Sequence, residues 1–162
     1  MPANNTYCAI AKYSLADFRL TLGIRTYLGK LVNLDFLNDN KDVIPPQNAF
    51  AKDIVDQLSR YIKDGKQEFN VALEPSGSAF QLNVWRSLQA ISVGDKLSYG
   101  EMAKSLHTGA RAIGNACRNN PIPIIIPCHR VVAKSSLGGY GGATQGKNLE
   151  LKRWLLSHEH KK

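Results

Sequence analysis

Apolar residues recur along this chain at two different periods, and the period changes near Pro75. Between residues 5 and 37, "DFRLTLGI" and "KLVNLDFL" alternate apolar and polar positions, as half-buried strands do, with breaks at Gly23 and Gly29 where turns are expected. "VIPPQN" interrupts this region, because adjacent prolines cannot continue a ladder. Asn48 then caps a predicted helix that places Phe50, Ile54, Leu58, Tyr61 and Ile62 on one face and ends at Gly65. "EFNVAL" alternates again, with Phe69, Val71 and Leu73 on one side. Beyond Pro75 the pattern turns helical. A helix starting at Ser78 lines up Phe80, Val84 and Leu88 with Trp85 beside them.

Two short helices are expected next. Ser98 with Glu101 fits a capping box at the start of "LSYGEMAKSLH", and a break at His107-Thr108 leads into "GARAIGNACRNNP". Two helices joined by so tight a turn suggest a helix-turn-helix. In the second of them Gly109, Ala110, Ala112, Gly114 and Ala116 are all small, while Arg111 and Arg118 share nearly one face. Ile113 and Cys117 pack inward. Small side chains let the backbone approach another surface, and the two arginines reach from it.

Charge is compatible with that picture, and equally with a solubility surplus, so by itself it does not decide. The 162 residues hold 21 Lys+Arg against 13 Asp+Glu, formally +8, and an excess of positive charge attracts polyanions. Hydrophobic residues make up 43%, and no apolar run approaches the length of a membrane span. The start of the chain lacks the basic and apolar regions of a secretory signal. Cys8, Cys117 and Cys128 are an odd set without C-x-x-C spacing, against both a disulfide framework and a zinc ribbon. An intracellular protein is therefore expected, cytoplasmic in a prokaryote and nuclear in a eukaryote.

The chemistry is concentrated at "IPCHRVV". A short buried strand, "IIIP", is expected to deliver Cys128 next to His129 and Arg130, polar groups that a purely apolar pocket would exclude. A thiol becomes a nucleophile when a base or cation favours its thiolate. An acid is then wanted to orient the imidazole. Asn148 caps a C-terminal helix with Leu151, Trp154, Leu155 and His158 on one stripe, and Glu159 lies beside that face. Glu150, in the first turn, suits the helix dipole instead.

"NPIPIIIPCHRVV", followed by "GGYGG" and "WLLSHE", resembles the O6-alkylguanine-DNA alkyltransferases, and "FQLNVWRSLQAI", "SYGEMA" and "RAIGNACRNNP" match that family in the same order. The likeness is specific over about residues 77 to 159. It implies that Cys128 accepts the alkyl group, with His129 acting through water as its base and Glu159 holding the imidazole. It further implies that Arg111 fills the base stack when guanine flips out and that Tyr99 helps rotate the nucleotide by crowding its phosphate. By the same likeness Asn120 would be a hinge between the recognition helix and the active-site segment, and Val131 and Tyr140 would line the pocket. Arg118, projecting from the second helix, is expected to contact phosphate. Base flipping is required because O6 of a stacked guanine is out of a nucleophile's reach.

The expected fold is α/β, with a supporting sheet-and-helix domain over residues 1–74 and a helical domain over 75–162 that carries the helix-turn-helix and the cysteine. The expected activity is direct reversal of DNA damage, a single-turnover transfer from guanine O6 to Cys128, without metal or cofactor. The partner is double-stranded DNA containing O6-alkylguanine, met by a monomer, with cooperative binding left open. The alternatives are a lesion-recognition protein related to the alkyltransferases and a helix-turn-helix regulator, both without transfer. The segment from Tyr140 to the last helix is longer and more polar than the family form, which bears on the pocket rim.

Overall fold

The computed structural model describes residues 6–140 and 147–160. Two compact units are present: residues up to Lys63 together with Gln67–Ser76, and Asp64–Lys66 together with residues from Gly77 onward. The fold is mixed α/β.

In the first unit, β1 (Ala9–Ser14), β2 (Arg19–Tyr27) and β3 (Lys30–Leu37) form an antiparallel meander in that order. Leu20, Leu22, Ile24, Leu31 and Leu34 are its buried positions. The β2–β3 turn is Leu28-Gly29, with φ of 48° and 75°, the pair of positive angles that a two-residue hairpin requires. Gly23 does not turn the chain. It lies inside β2 opposite Asp35, where a Cβ would meet the Tyr7 ring and the Leu37 side chain within 2.8 Å. The glycine is there for space. Helix α1 (Ala49–Lys63) is capped by Asn48, whose Oδ1 accepts the Ala51 amide at 2.8 Å, and it buries Ala51, Ile54, Leu58 and Tyr61.

"EFNVAL" is not a strand. Leu73 makes a single parallel bridge with Leu31, through Leu31 N to Ala72 O and Glu74 N to Leu31 O, both at 2.9 Å. The alternation was real, since Phe69, Val71 and Leu73 are each half-buried between exposed neighbours. One bridge is too little pairing to make a ladder.

The second unit begins with α2 (Ala79–Gln89). Ser78 Oγ accepts from Gln81 N and Gln81 Oε1 accepts from Ser78 N, a complete capping box. Val84, Trp85 and Leu88 are buried, whereas Phe80 is 39% exposed. Helices α3 (Tyr99–Ser105) and α4 (Ala110–Arg118) follow, joined at His107, whose φ of 55° makes the turn. Ser98 Oγ caps α3 through the Glu101 amide at 3.0 Å. Trp85 donates its indole N–H to the Ala116 carbonyl at 2.8 Å, which ties α2 to the buried side of α4. The strand β4 (Leu97–Ser98) pairs in parallel with β5 (Val131–Val132), so the residues entering α3 lie beside those leaving Cys128.

Two expectations near the thiol are corrected. Residues Ile122–Ile126 form a run of tight turns, not a strand, with Ile126 N donating to Ile122 O and Ile125 N to Pro123 O. Prolines 121, 123 and 127 remove the amides a ladder needs, and buried Ile124 takes a φ of 73°. That angle is costly for a β-branched residue and is sustained by its packing. Helix α5 runs Lys147–His160, so Asn148 lies in its first turn and does not cap it. The expected long polar rim after Tyr140 lies outside the described residues. No helix among the described residues is long and apolar enough to cross a membrane.

Candidate active site

A 3₁₀ turn, Cys128–Arg130, carries the thiol, the imidazole and the guanidinium in succession. Arg130 N bonds to Pro127 O at 3.0 Å, and Cys128 N to Ile126 O at 2.8 Å. An extended chain would send neighbouring side chains to opposite sides. The tight turn instead lets His129 and Arg130 address one acid.

That acid is Glu159. Its Oε2 lies 2.6 Å from His129 Nε2. Arg130 donates Nε–H to Oε1 at 2.8 Å and Nη2–H to Oε2 at 3.1 Å, a two-pronged grip that fixes the carboxylate plane. The third arm of Arg130, Nη1, donates to the Ile91 carbonyl at 2.6 Å. His129, Arg130 and Glu159 are 0%, 7% and 1% exposed, so water does not screen them. Burial is the main reason His129 sits below its ordinary 6.5, with Glu159 opposing the shift. Neutral His129 therefore carries its proton on Nε2, facing Glu159. The lone pair is on Nδ1, which is buried and has no protein partner among the described residues.

Cys128 is 5% exposed. Burial pushes its thiol up, while a hydrogen bond from Asn120 and the charge of Lys152 pull it back. The resting group is a thiol. Asn120 also donates Nδ2–H to Ile126 O at 2.8 Å and accepts the Ile122 amide on Oδ1 at 3.0 Å. Its backbone amide donates to Cys117 O, so one residue braces the whole approach from α4 to Cys128.

Lys152 was missed in the sequence. It is fully buried on α5 and donates its ammonium to Val131 O at 2.7 Å and Gly139 O at 2.9 Å. Burial lowers it to about 8, against the raising effects of Cys128 and Cys117. Tyr99 is pushed up to about 12, mainly by burial, and donates its hydroxyl to Gly139 O at 3.4 Å. Cys117 is likewise pushed up to about 12 by burial. Tyr99, Val131, Gly139 and Lys152 thus come together, and Tyr140, buried at 4% exposure, follows Gly139 directly.

The stripe on α5 explains the oversight. The buried residues are Leu151, Lys152, Leu155 and Glu159, while Trp154 and His158 are half-buried and stack on each other at 4.3 Å. The apolar positions predicted a stripe centred about one residue away. Lys152 and Glu159 are seven apart, nearly the same direction on a helix, and that spacing was the available signal. In the sequence Arg130 reads only as a polar neighbour of the thiol, and its adjacency to His129 points to nothing more.

On α4, Ile113 and Ala116 are buried, Cys117 is half-buried, and Arg111 and Arg118 are exposed. A Cβ on Gly109 or Gly114 would meet nothing within 4 Å. This face is open and basic. A cleft of about 510 Å³ lies between α2 and α3, lined by residues such as Ser87, Ile91, Leu97 and Met102, and does not include Cys128. The hydrogen-bonded geometry around the thiol is the better guide to chemistry than the size of that cleft.

Residues 79–161 match the family model described as the 6-O-methylguanine DNA methyltransferase, DNA binding domain. A methylated-DNA–protein-cysteine methyltransferase of Mycolicibacterium paratuberculosis is 44% identical over 116 residues, covering 70% of this chain and 67% of its own. The crystal structure of the Mycobacterium tuberculosis O6-methylguanine methyltransferase superposes with a TM-score of 0.73 at 36% identity, covering 93% of this chain and 92% of that one. A structure of the M. tuberculosis OGT in complex with DNA matches at a TM-score of 0.72 and 36% identity, covering 92% and 91%. By sequence and by fold, the chain belongs to the methylated-DNA–protein-cysteine methyltransferases.

Proposed function

We propose that the protein repairs alkylated DNA directly, moving a methyl group from O6 of guanine to the sulfur of Cys128. The observation that carries this reading is a nucleophile braced by Asn120, next in sequence to a neutral His129 whose Nε2 is committed to a buried Glu159. The open basic face of α4 supplies the surface for the duplex, with Arg111 filling the stack and Arg118 meeting phosphate. Val131 and Tyr140 line the pocket for the extruded base, Tyr99 turns the nucleotide toward it, and Asn120 links pocket to recognition helix.

Chemistry proceeds from a protonated thiol. His129 Nδ1 takes the proton through a water, and the imidazolium so formed is stabilised by Glu159, whose charge Arg130 balances at rest. The ammonium of Lys152 favours the thiolate. Sulfur then attacks the methyl carbon, a carbon–sulfur bond forms, and the electron pair of the carbon–oxygen bond leaves with guanine as an anion that takes one proton from water, while His129 returns the thiol's proton to solvent. A thioether has no carbonyl for water to attack. The protein therefore acts once per molecule.

The test is mass spectrometry after incubation with a duplex containing O6-methylguanine. A methyl group on the Cys128 peptide, at no more than one lesion repaired per molecule, is the expected result. Cys128→Ser should take up nothing while keeping its affinity for the duplex. Binding that collapses in a folded Cys128→Ser protein counts against separating DNA contacts from chemistry.

A further inference from the structure

Glu159 is the penultimate residue of α5. Helix ends fray, and the last four carbonyls of a helix have no partner within it. A carboxylate that must hold hydrogen-bond geometry to His129 is therefore placed on the turn least able to hold it. Arg130 restrains the side chain from the front. The backbone needs a restraint of its own.

It comes from residues distant in sequence. Asp64, Gly65 and Lys66 follow α1 directly and belong to the second unit. Asp64 Oδ1 accepts the Lys66 amide at 3.1 Å, which folds the segment into a turn. The Lys66 ammonium donates to the carbonyl of Glu159 in the last turn of α5. A cation at this position also complements the negative end of the helix dipole. Gly65 is buried against the preceding carbonyl, and a Cβ there would lie 2.7 Å from the His158 carbonyl carbon and 2.8 Å from its ring. Backbone, not a yielding side-chain tip, is what such a Cβ would strike. Gly94, at φ +89°, lies against the same two groups: a Cβ on it would be 3.4 Å from Lys66 Nζ and 3.7 Å from the Glu159 carbonyl oxygen.

We infer that Asp64–Lys66 is a strap that positions Glu159 for the transfer reaction, with Lys66 and Gly65 as its positioning residues. The inference rests on the reading of Glu159 as the group that orients His129. Neither Lys66 nor Gly65 belongs to the 3₁₀ turn that carries the thiol. Their effect reaches the reaction only through the last turn of α5.

The experiment uses the full chain and an O6-methylguanine duplex, with transfer rates measured from pH 5.5 to 9 and duplex affinity measured separately. Lys66→Met keeps the length of the side chain and removes the charge. It should slow transfer about tenfold or more, since small misplacements of a reacting group are costly. Its pH profile should move in the same direction as that of Glu159→Gln, with affinity unchanged. Lys66→Arg should recover the rate to within about twofold, and Gly65→Ala should resemble Lys66→Met. The double variant Lys66→Met/Glu159→Gln should be no slower than Glu159→Gln alone. Additive losses, or a lowered melting point with an unmoved pH profile, would show ordinary structural support and overturn the strap. A slow Glu159→Gln beside a wild-type Lys66→Met overturns it as well. A Glu159→Gln protein with wild-type rate and profile removes the parent reading, and this inference with it.

Discussion

The molecule contains two clusters of the same composition and opposite character. In the first unit Tyr7 donates to Asp35 at 2.8 Å, and Arg25 meets Asp35 at 3.1 Å with its guanidinium over the Tyr7 ring. In the second, His129 and Arg130 converge on Glu159 at 2.6 and 2.8 Å. Each is an arginine, a carboxylate and a ring. The difference is water: the side chains of Arg25 and Asp35 are 27% and 28% exposed, those of Arg130 and Glu159 8% and 1%. Screened charges lose little when a partner is removed, whereas a buried charge without its partner pays its desolvation in full. Similar distances therefore say little about energy. Burial turns the second cluster into a device that determines where a proton resides.

The largest expected effect is at Arg130. Arg130→Met leaves Glu159 buried without its counter-charge and should destabilise the protein by about 3–5 kcal/mol, read from the denaturant midpoint at neutral pH. A loss under about 1 kcal/mol would mean that water reaches the cluster and that the contrast drawn above is wrong.

His129→Gln should come next. Losing the base should slow transfer by about 100-fold or more, measured with a methylated duplex. It also has a signature in stability. The folded value of His129 lies below its ordinary 6.5, so as pH falls through 6.5 the unfolded chain gains a proton that the folded chain refuses. Stability is thus fully present above about 6.5 and declines below it. His129→Gln should flatten that decline in melts taken between pH 4 and 8; an unchanged slope would place the titration elsewhere.

Arg111→Ala tests the exposed face of α4 against the buried site. Repair of duplex should fall about tenfold, while reaction with free O6-benzylguanine, which has no stack to leave, should stay within about twofold. Equal losses on both would make Arg111 a support of the fold.

The smallest effect is expected at the exposed cluster. Arg25→Met should cost no more than about 1 kcal/mol and should leave the transfer rate alone. A larger cost, erased by raising the salt concentration, would show that Arg25 and Asp35 are coupled more strongly than their exposure implies.

The sequence by itself determined the elements whose causes are local. The Asn48 and Ser78 caps, the Leu28-Gly29 turn region and the helical pair around His107-Thr108 were legible because capping and turn formation depend on residues a few positions apart. Cys128 and His129 were legible for the same reason, since they are neighbours in one motif. Where several prolines interrupt an apolar run, periodicity misled: the isoleucines before Cys128 look like a strand, but their missing amides force turns. What only the tertiary structure decided is which charges are dry. By local pattern alone Glu159, in the last turn of a helix, looks like a surface residue, and only its family likeness pointed to His129; Lys152 looks like an ordinary helix lysine. Both are buried because the 3₁₀ turn, Val131 and Gly139 offer them partners 13 to 30 residues away in the chain. Lys66 meets α5 across 93 residues. No local pattern encodes such pairings, because the free energy of burying a charge depends on partners that are assembled only when the chain has folded.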